Sequence, residues 1–123
     1  MRCLLAAAIL LLTSCAGPTP TASTSVDLHD GWLESSSTVL EAGSVAIEIE
    51  NLGELTHTLV ITSRDGTVVA ATGLVAPGEE LDMDLDLAPG AYQFTCRIVA
   101  QAENGEIFDH YQLGMSEAIT VEG

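Results

Sequence analysis

The sequence predicts an all-β protein, folded as one sandwich or barrel of short strands. Three observations carry that prediction. Apolar and acidic residues alternate with a period of two in "VAIEIENL" (45–52) and "LDMDLDLA" (81–88), the pattern of half-buried strands. Turn signals of the type "NLGE", "RDG", "APGEE", "APGA" and "ENGE" recur between the apolar runs. No segment carries a helical stripe, and the chain has no internal repeat.

A length of 123 residues is that of one domain. Its start reads as a leader. Met1 and Arg2 precede "CLLAAAILLL" (3–12), an apolar run too short to span a bilayer and suited to a secretory signal. The run stops at "LTSC" (12–15), where small residues flank Cys15. That pattern resembles the bacterial lipobox, whose cysteine is lipidated and becomes N-terminal. Residues 1–14 are therefore expected to be a lipoprotein signal peptide and Cys15 the lipidation site. An ordinary signal peptide with an incidental cysteine is the alternative. "AGPTPTASTS" (16–25) has no large side chain to bury, so residues 15–25 read as the lipidated cysteine and a flexible tether. Residues 26–123 are the expected domain, long enough for one core.

The strands follow in order. In the 45–52 segment Val45, Ile47 and Ile49 share one face and Glu48 and Glu50 the other. "HTLVIT" (57–62) and "TVVAAT" (67–72) are shorter candidates. In the 81–88 segment Leu81, Met83, Leu85 and Leu87 point inward, and Asp82, Asp84 and Asp86 outward. "AYQFTC" (91–96) puts Tyr92, Phe94 and Cys96 on one face, and "EAITV" (117–121) closes the chain.

Charge excludes some functions. Removal of Arg2 with the leader leaves Arg64 and Arg97 against 18 acidic residues, a formal charge of −16. Such a surface repels nucleic acid and anionic lipid, so membrane contact is expected through the lipid anchor only. It suits a basic partner, high salt, or simple solubility. Glu79, Glu80, Asp82, Asp84 and Asp86 read as a solvated face. No nucleophile–base pair and no closed pair of catalytic carboxylates stands out, so no enzymatic activity is expected.

The residues that could carry chemistry lie at strand ends and in loops. Cys96 is the only cysteine outside the first fifteen residues, and an unpaired thiol in an exported domain needs a reason. Metal ligation is one, and burial as a small hydrophobe is the other. His57 follows the loop "ENLGELT", and His110 and Met115 sit in "HYQLGM". Two imidazoles, a thiolate and a thioether form the His₂Cys set with a weak axial Met that holds type 1 copper. His29 and Trp32, in "DLHDGW", read as a surface residue and a packing residue.

From Val26 onward the chain resembles a cupredoxin. "AGSVAIEIENLGELTHTLVI" is similar to that family's strand, Asn-x-Gly loop and first His ligand. "TGLVAPGEELDMDLDLAPGAYQFTC" is similar to its middle hairpin and the strand ending in the Cys ligand, and "HYQLGM" to its closing His-x-x-x-Gly-Met. The resemblance implies a Greek-key β-sandwich holding one type 1 copper ion. His57, Cys96 and His110 would be equatorial ligands and Met115 axial, with Asn51 and Thr58 bracing them from behind. The family often has Asn or Asp where Thr58 stands.

One departure bears on geometry. Thirteen residues, "RIVAQAENGEIFD", separate Cys96 from His110, where the family has two to four. Asn104-Gly105 is a strong two-residue hairpin signal. A strict hairpin on that turn sets Glu103 opposite Glu106 and His110 opposite Val99. Cys96 and Val99 are an odd number apart, so Cys96 and His110 would then point to opposite faces. A shared site requires a break in that register between Arg97 and Asp109.

The expected function is a one-electron carrier at the cell envelope, cycling a single copper between Cu(II) and Cu(I). It would be a monomer, anchored by lipid to the outer face of the cytoplasmic membrane or in the periplasm, and would serve redox partner proteins, basic ones among them. Copper trafficking or buffering, and a metal-free accessory module, are the alternatives.

Overall fold

Alternation in the sequence becomes two facing sheets. The computed structural model describes residues 19–123; the expected signal peptide and Cys15 lie outside the described residues. The chain forms β1 (Ala22–His29), β2 (Trp32–Ser35), β3 (Val39–Glu41), β4 (Gly43–Asn51), β5 (Val60–Ser63), β6 (Val68–Ala71), β7 (Glu80–Leu87), β8 (Gly90–Thr95), β9 (Val99–Gln101), β10 (Ile107–Asp109) and β11 (Ser116–Glu122). One sheet has the order β2-β1-β4-β7 and the other β3-β11-β8-β5-β6; β9 and β10 form a separate ribbon. Two pairs are parallel, β1 with β4 and β3 with β11, so the chain crosses between sheets rather than meandering. This is the all-β sandwich that the strand pattern predicts.

The core lies between the sheets. Val45, Ile47 and Ile49 of β4 face Leu59, Ile61, Phe94 and Ile119 from the other side, and all are essentially inaccessible. β7 contributes its apolar face: Leu87 is buried, and Leu81, Met83 and Leu85 pack on the core while half-covered. Its other face is exposed and acidic, as expected. Glu48 stands opposite Asp82, and Glu50 lies between Asp27 and Glu80 in the strand pairing. Like charges directly opposite one another in a sheet are destabilising.

Two elements differ from expectation. β1 begins at Ala22, so residues 22–25, read as tether, are the first half of an inner strand. Their backbone pairs with Val45–Glu48 of β4. The inward position is Thr24, whose hydroxyl is satisfied by Ser36 and the Ser37 backbone. A strand built on Ala, Ser and Thr has no apolar alternation to reveal it. The "HTLVIT" strand is also shorter than expected. Regular pairing starts at Val60, and His57 makes only an isolated two-bond bridge to Val75.

Candidate metal centre

Four segments meet at one end of the sandwich. His57 is fixed at its backbone by the bridge to Val75, with hydrogen bonds of 3.1 and 2.8 Å. The loop before it is held from inside by Asn51. The fully buried Asn51 amide donates to the carbonyls of Leu55 (2.8 Å) and Val75 (2.9 Å) and accepts from Gly53 N–H (2.8 Å). Every hydrogen-bonding group of that side chain except one lone pair is in use. Asn51 thus acts on the loop and not on the donor atoms themselves.

Cys96 follows the last residue of β8 and continues its ladder, donating its N–H to the Met115 carbonyl at 3.1 Å. The Met115 N–H in turn donates to the His110 carbonyl at 3.1 Å. A tight turn makes this closure. The Asp109 side chain accepts from Tyr111 N–H (3.0 Å), and Gly114 takes a φ of +115° that favours glycine. A Cβ at Gly114 would also come within 2.9 Å of the Gly31 carbonyl. His110 and Met115 are therefore brought beside Cys96 by backbone bonds, and the Met115 side chain is fully buried in the same core as Cys96.

The thirteen-residue insertion folds into the β9–β10 hairpin and still delivers His110 to the Cys96 side. Gln101 pairs with Ile107 and Val99 with Asp109, and His110 N–H donates to Ile98. Ile98 and Cys96 are an even number apart, so both His110 and Cys96 face the same way. The turn causes this register. Ala102 and Glu106 close a three-residue loop, with Gly105 N–H bonded to the Ala102 carbonyl and Gly105 at φ +87°. Asn104 keeps a negative φ, so the two-residue turn that needs two positive φ values does not form. The expected break in register thus sits in the turn itself, and the arms zip regularly.

The three donor atoms converge. His57 Nδ1 lies 3.2 Å from His110 Nδ1, Cys96 Sγ 3.8 Å from His57 Nδ1, and Cys96 Sγ 3.5 Å from His110 Nδ1. All three residues are buried. Metal–nitrogen bonds of about 2.0–2.1 Å and metal–sulfur bonds of about 2.3 Å, in a trigonal plane, would separate such donors by roughly 3.5–3.8 Å. The observed triangle is close to that size, so the His-Cys-His-Met cluster fits one type 1 copper ion.

Neighbouring groups set the electrostatics. Thr58 donates to the Cys96 sulfur from its N–H at 3.4 Å and its hydroxyl at 3.8 Å, and the hydroxyl accepts from Arg97 N–H. These two contacts fix the position of the sulfur. Burial, followed by the proximity of His57, holds the His110 pKa below its usual 6.5 against the opposing pull of Asp30 and Asp109. His110 is therefore neutral at pH 7, the form that binds a metal.

Sequence reasoning missed Asp30. Its Oδ1 lies 2.8 Å from Nε2 of the fully buried His57. The carboxylate also accepts from Glu54 N–H (2.8 Å) and Leu55 N–H (3.1 Å). Partial burial alone would raise its pKa; the bonds from Glu54, His57 and Leu55 together lower it. The available signal was Asp30-Gly31 between "DLH" and "WLE", an Asp-Gly turn flanked by alternating residues. The same hairpin accounts for His29 and Trp32. Their rings stack at 4.3 Å, with Trp32 half-exposed, and His29 is partly buried rather than fully at the surface.

The family model for a cupredoxin-like domain matches residues 2–108. The chain belongs to the cupredoxin family. The match stops two residues before His110, at the end of the inserted hairpin that separates this cupredoxin's second histidine from its cysteine. Solved structures share the fold. Reduced auracyanin from the photosynthetic bacterium Roseiflexus castenholzii superposes with a TM-score of 0.67 at 18% identity, over 86% of this chain and 100% of that one. Rusticyanin from Thiobacillus ferrooxidans gives 0.61 at 18% identity, over 85% and 79%. A multicopper oxidase from Campylobacter jejuni gives 0.62 at 15% identity, but this cupredoxin spans only 31% of that chain. No curated protein matches by sequence.

Proposed function

We propose that this cupredoxin is a one-electron carrier with a single type 1 copper, held by His57, Cys96 and His110 with Met115 as the weak axial ligand. One observation supports the reading above others: three buried donor atoms of the type 1 set, from separate segments, lie 3.2–3.8 Å apart. Copper bound there would supply the Cu(II)/Cu(I) couple, with no acid–base chemistry required of the protein. The chain's own part is rigidity. The Val75 bridge, the Asn51 clamp and the Cys96–Met115–His110 backbone bonds hold the donors whatever the charge of the ion, which keeps reorganisation small. Thr58 supports the thiolate, and the buried core excludes water from it.

Partners would dock where the site comes nearest to solvent. Leu55, Ala100, Gln101, Ala102, Phe108 and His110 line a largely apolar cleft of about 400 Å³, with Leu55 and Leu113 exposed beside the site. The strong net negative charge of the chain suits a basic redox partner. Export follows from the leader-like residues 1–14, and lipidation at Cys15 would tether the carrier to the cell envelope. A copper-trafficking role uses the same ligands. The two separate on cycling the copper-loaded full chain with a mild reductant and oxidant. A carrier keeps its copper and regains its colour through repeated cycles. A trafficking protein releases Cu(I) to a chelator on the first reduction.

A further inference from the structure

We infer that Asp30 is a positioning residue for this site: its carboxylate fixes His57 in the Nε2–H form, turns Nδ1 toward the metal, and biases the site toward Cu(II). The inference rests on the proposed copper reading for its second half only. The first half follows from hydrogen bonding. A carboxylate only accepts, so at 2.8 Å it requires the proton on His57 Nε2. In the neutral ring Nδ1 is then bare, and it is the nitrogen that faces Cys96 and His110.

Asp30 is itself held in place. Two backbone N–H groups, of Glu54 and Leu55, aim at its carboxylate from the loop that leads to His57. Gly53 leaves the room for this, since a Cβ there would run into the Asp30 carboxylate. On the other side the turn of Asp30 is pinned by the close approach of Gly31 to Gly114, in the segment between His110 and Met115. One two-residue hairpin turn therefore abuts both loops that carry the histidines. The direction of the electronic effect follows from charge. An anion bonded to the far nitrogen makes the imidazole a stronger donor and stabilises the more highly charged ion, so Cu(II) gains over Cu(I). Asp30 is the only carboxylate among the described residues that is hydrogen-bonded to a donor of the cluster.

The test uses the full chain with Asp30→Asn, which removes the charge, and Asp30→Ala, which removes the acceptor. Two readouts are needed. In the metal-free protein, side-chain ¹⁵N NMR reports the His57 tautomer. We expect Nε2–H in the parent and a mixture of tautomers in Asp30→Ala. In the copper-loaded protein, the midpoint potential is expected to rise in both variants while the thiolate-to-copper absorption persists. Loss of a carboxylate behind a metal-bound histidine costs about 10–100-fold in affinity. If Cu(II) binding weakens tenfold relative to Cu(I), the potential rises by about 59 mV. Unchanged potentials with lowered melting temperatures would show a merely structural role and overturn the copper half. An unchanged tautomer in Asp30→Ala would overturn the positioning half. A parent chain that binds no copper would overturn the copper half together with the proposed function, and the NMR result would then decide the rest. If Asp30→Ala fails to fold, as judged by its far-ultraviolet circular dichroism, the tautomer and potential of Asp30→Asn decide.

Discussion

His110 shows how burial decides a protonation state. Its pKa lies below the ordinary histidine value because the ring is desolvated and near His57. The sign of the stability effect follows. Between 6.5 and the lowered folded value, the unfolded chain binds a proton that the folded chain does not. Stability of the metal-free protein is thus full above about 6.5, falls as pH drops through that window, and levels off below the folded pKa. Thermal melts of the metal-free full chain across this range, compared with His110→Gln, check it. The melting temperature of the parent relative to His110→Gln should rise with pH and flatten above neutrality. The residue types in the site were legible in the sequence because His57, Cys96, His110 and Met115 occur in an order and chemistry that few other sites share. Asp30 was not. It reaches His57 across 27 positions, and nothing local in "DLHDGW" states that its carboxylate points back at a loop.

The β9–β10 hairpin carries the instructive element. Its sequence admits two registers, and they differ by one residue, which moves His110 from one face to the other. Asn104-Gly105 suits both a two-residue and a three-residue loop, so local propensity alone did not choose. The choice is visible in the structure, where Ala102 N–H bonds to the Glu106 carbonyl and closes a three-residue loop with Gly105 at positive φ. A pair of deletions tests this. Removing Ala100 shortens one arm, shifts His110 to the wrong parity and should abolish thiolate-to-copper absorption. Removing Ala100 and Phe108 together shortens both arms, restores the pairing of Ile98 with His110 and should return the colour. Absorption spectra of the two copper-treated variants make the comparison. At the same scale, β4 and β7 were readable because alternation marks a half-buried strand. Residues 22–25 carry no such mark, because their backbone pairing with β4 has no counterpart in the side-chain pattern.

Across the molecule the dominant feature is uncompensated negative charge, 18 acidic residues against three basic ones. It is concentrated on the outer face of the β2-β1-β4-β7 sheet, where Asp27, Glu50 and Glu80 form a row across three strands and Glu48 faces Asp82. Glu48, Glu80 and Asp82 are exposed and Asp27 and Glu50 half-buried, so salt reaches and screens the row: the Debye length falls from about 10 Å at 0.1 M to about 3 Å at 1 M. The melting temperature of the full chain should therefore rise as NaCl is raised over that range, and a variant with Asp82→Asn and Glu50→Gln should show a smaller rise. A melting temperature independent of salt would mean that the row carries no strain. The copper site lies at one end of the sandwich, so this tuning of the scaffold is separable from the chemistry of the centre.

The central claim is that His57, Cys96, His110 and Met115 hold one copper ion. Titration of the metal-free full chain with Cu(II), followed by visible absorption, tests it most directly. We expect an intense thiolate-to-copper band that saturates at one equivalent and is absent in Cys96→Ser. A chain that stays colourless at every copper ratio, or a band that survives in Cys96→Ser, would contradict it.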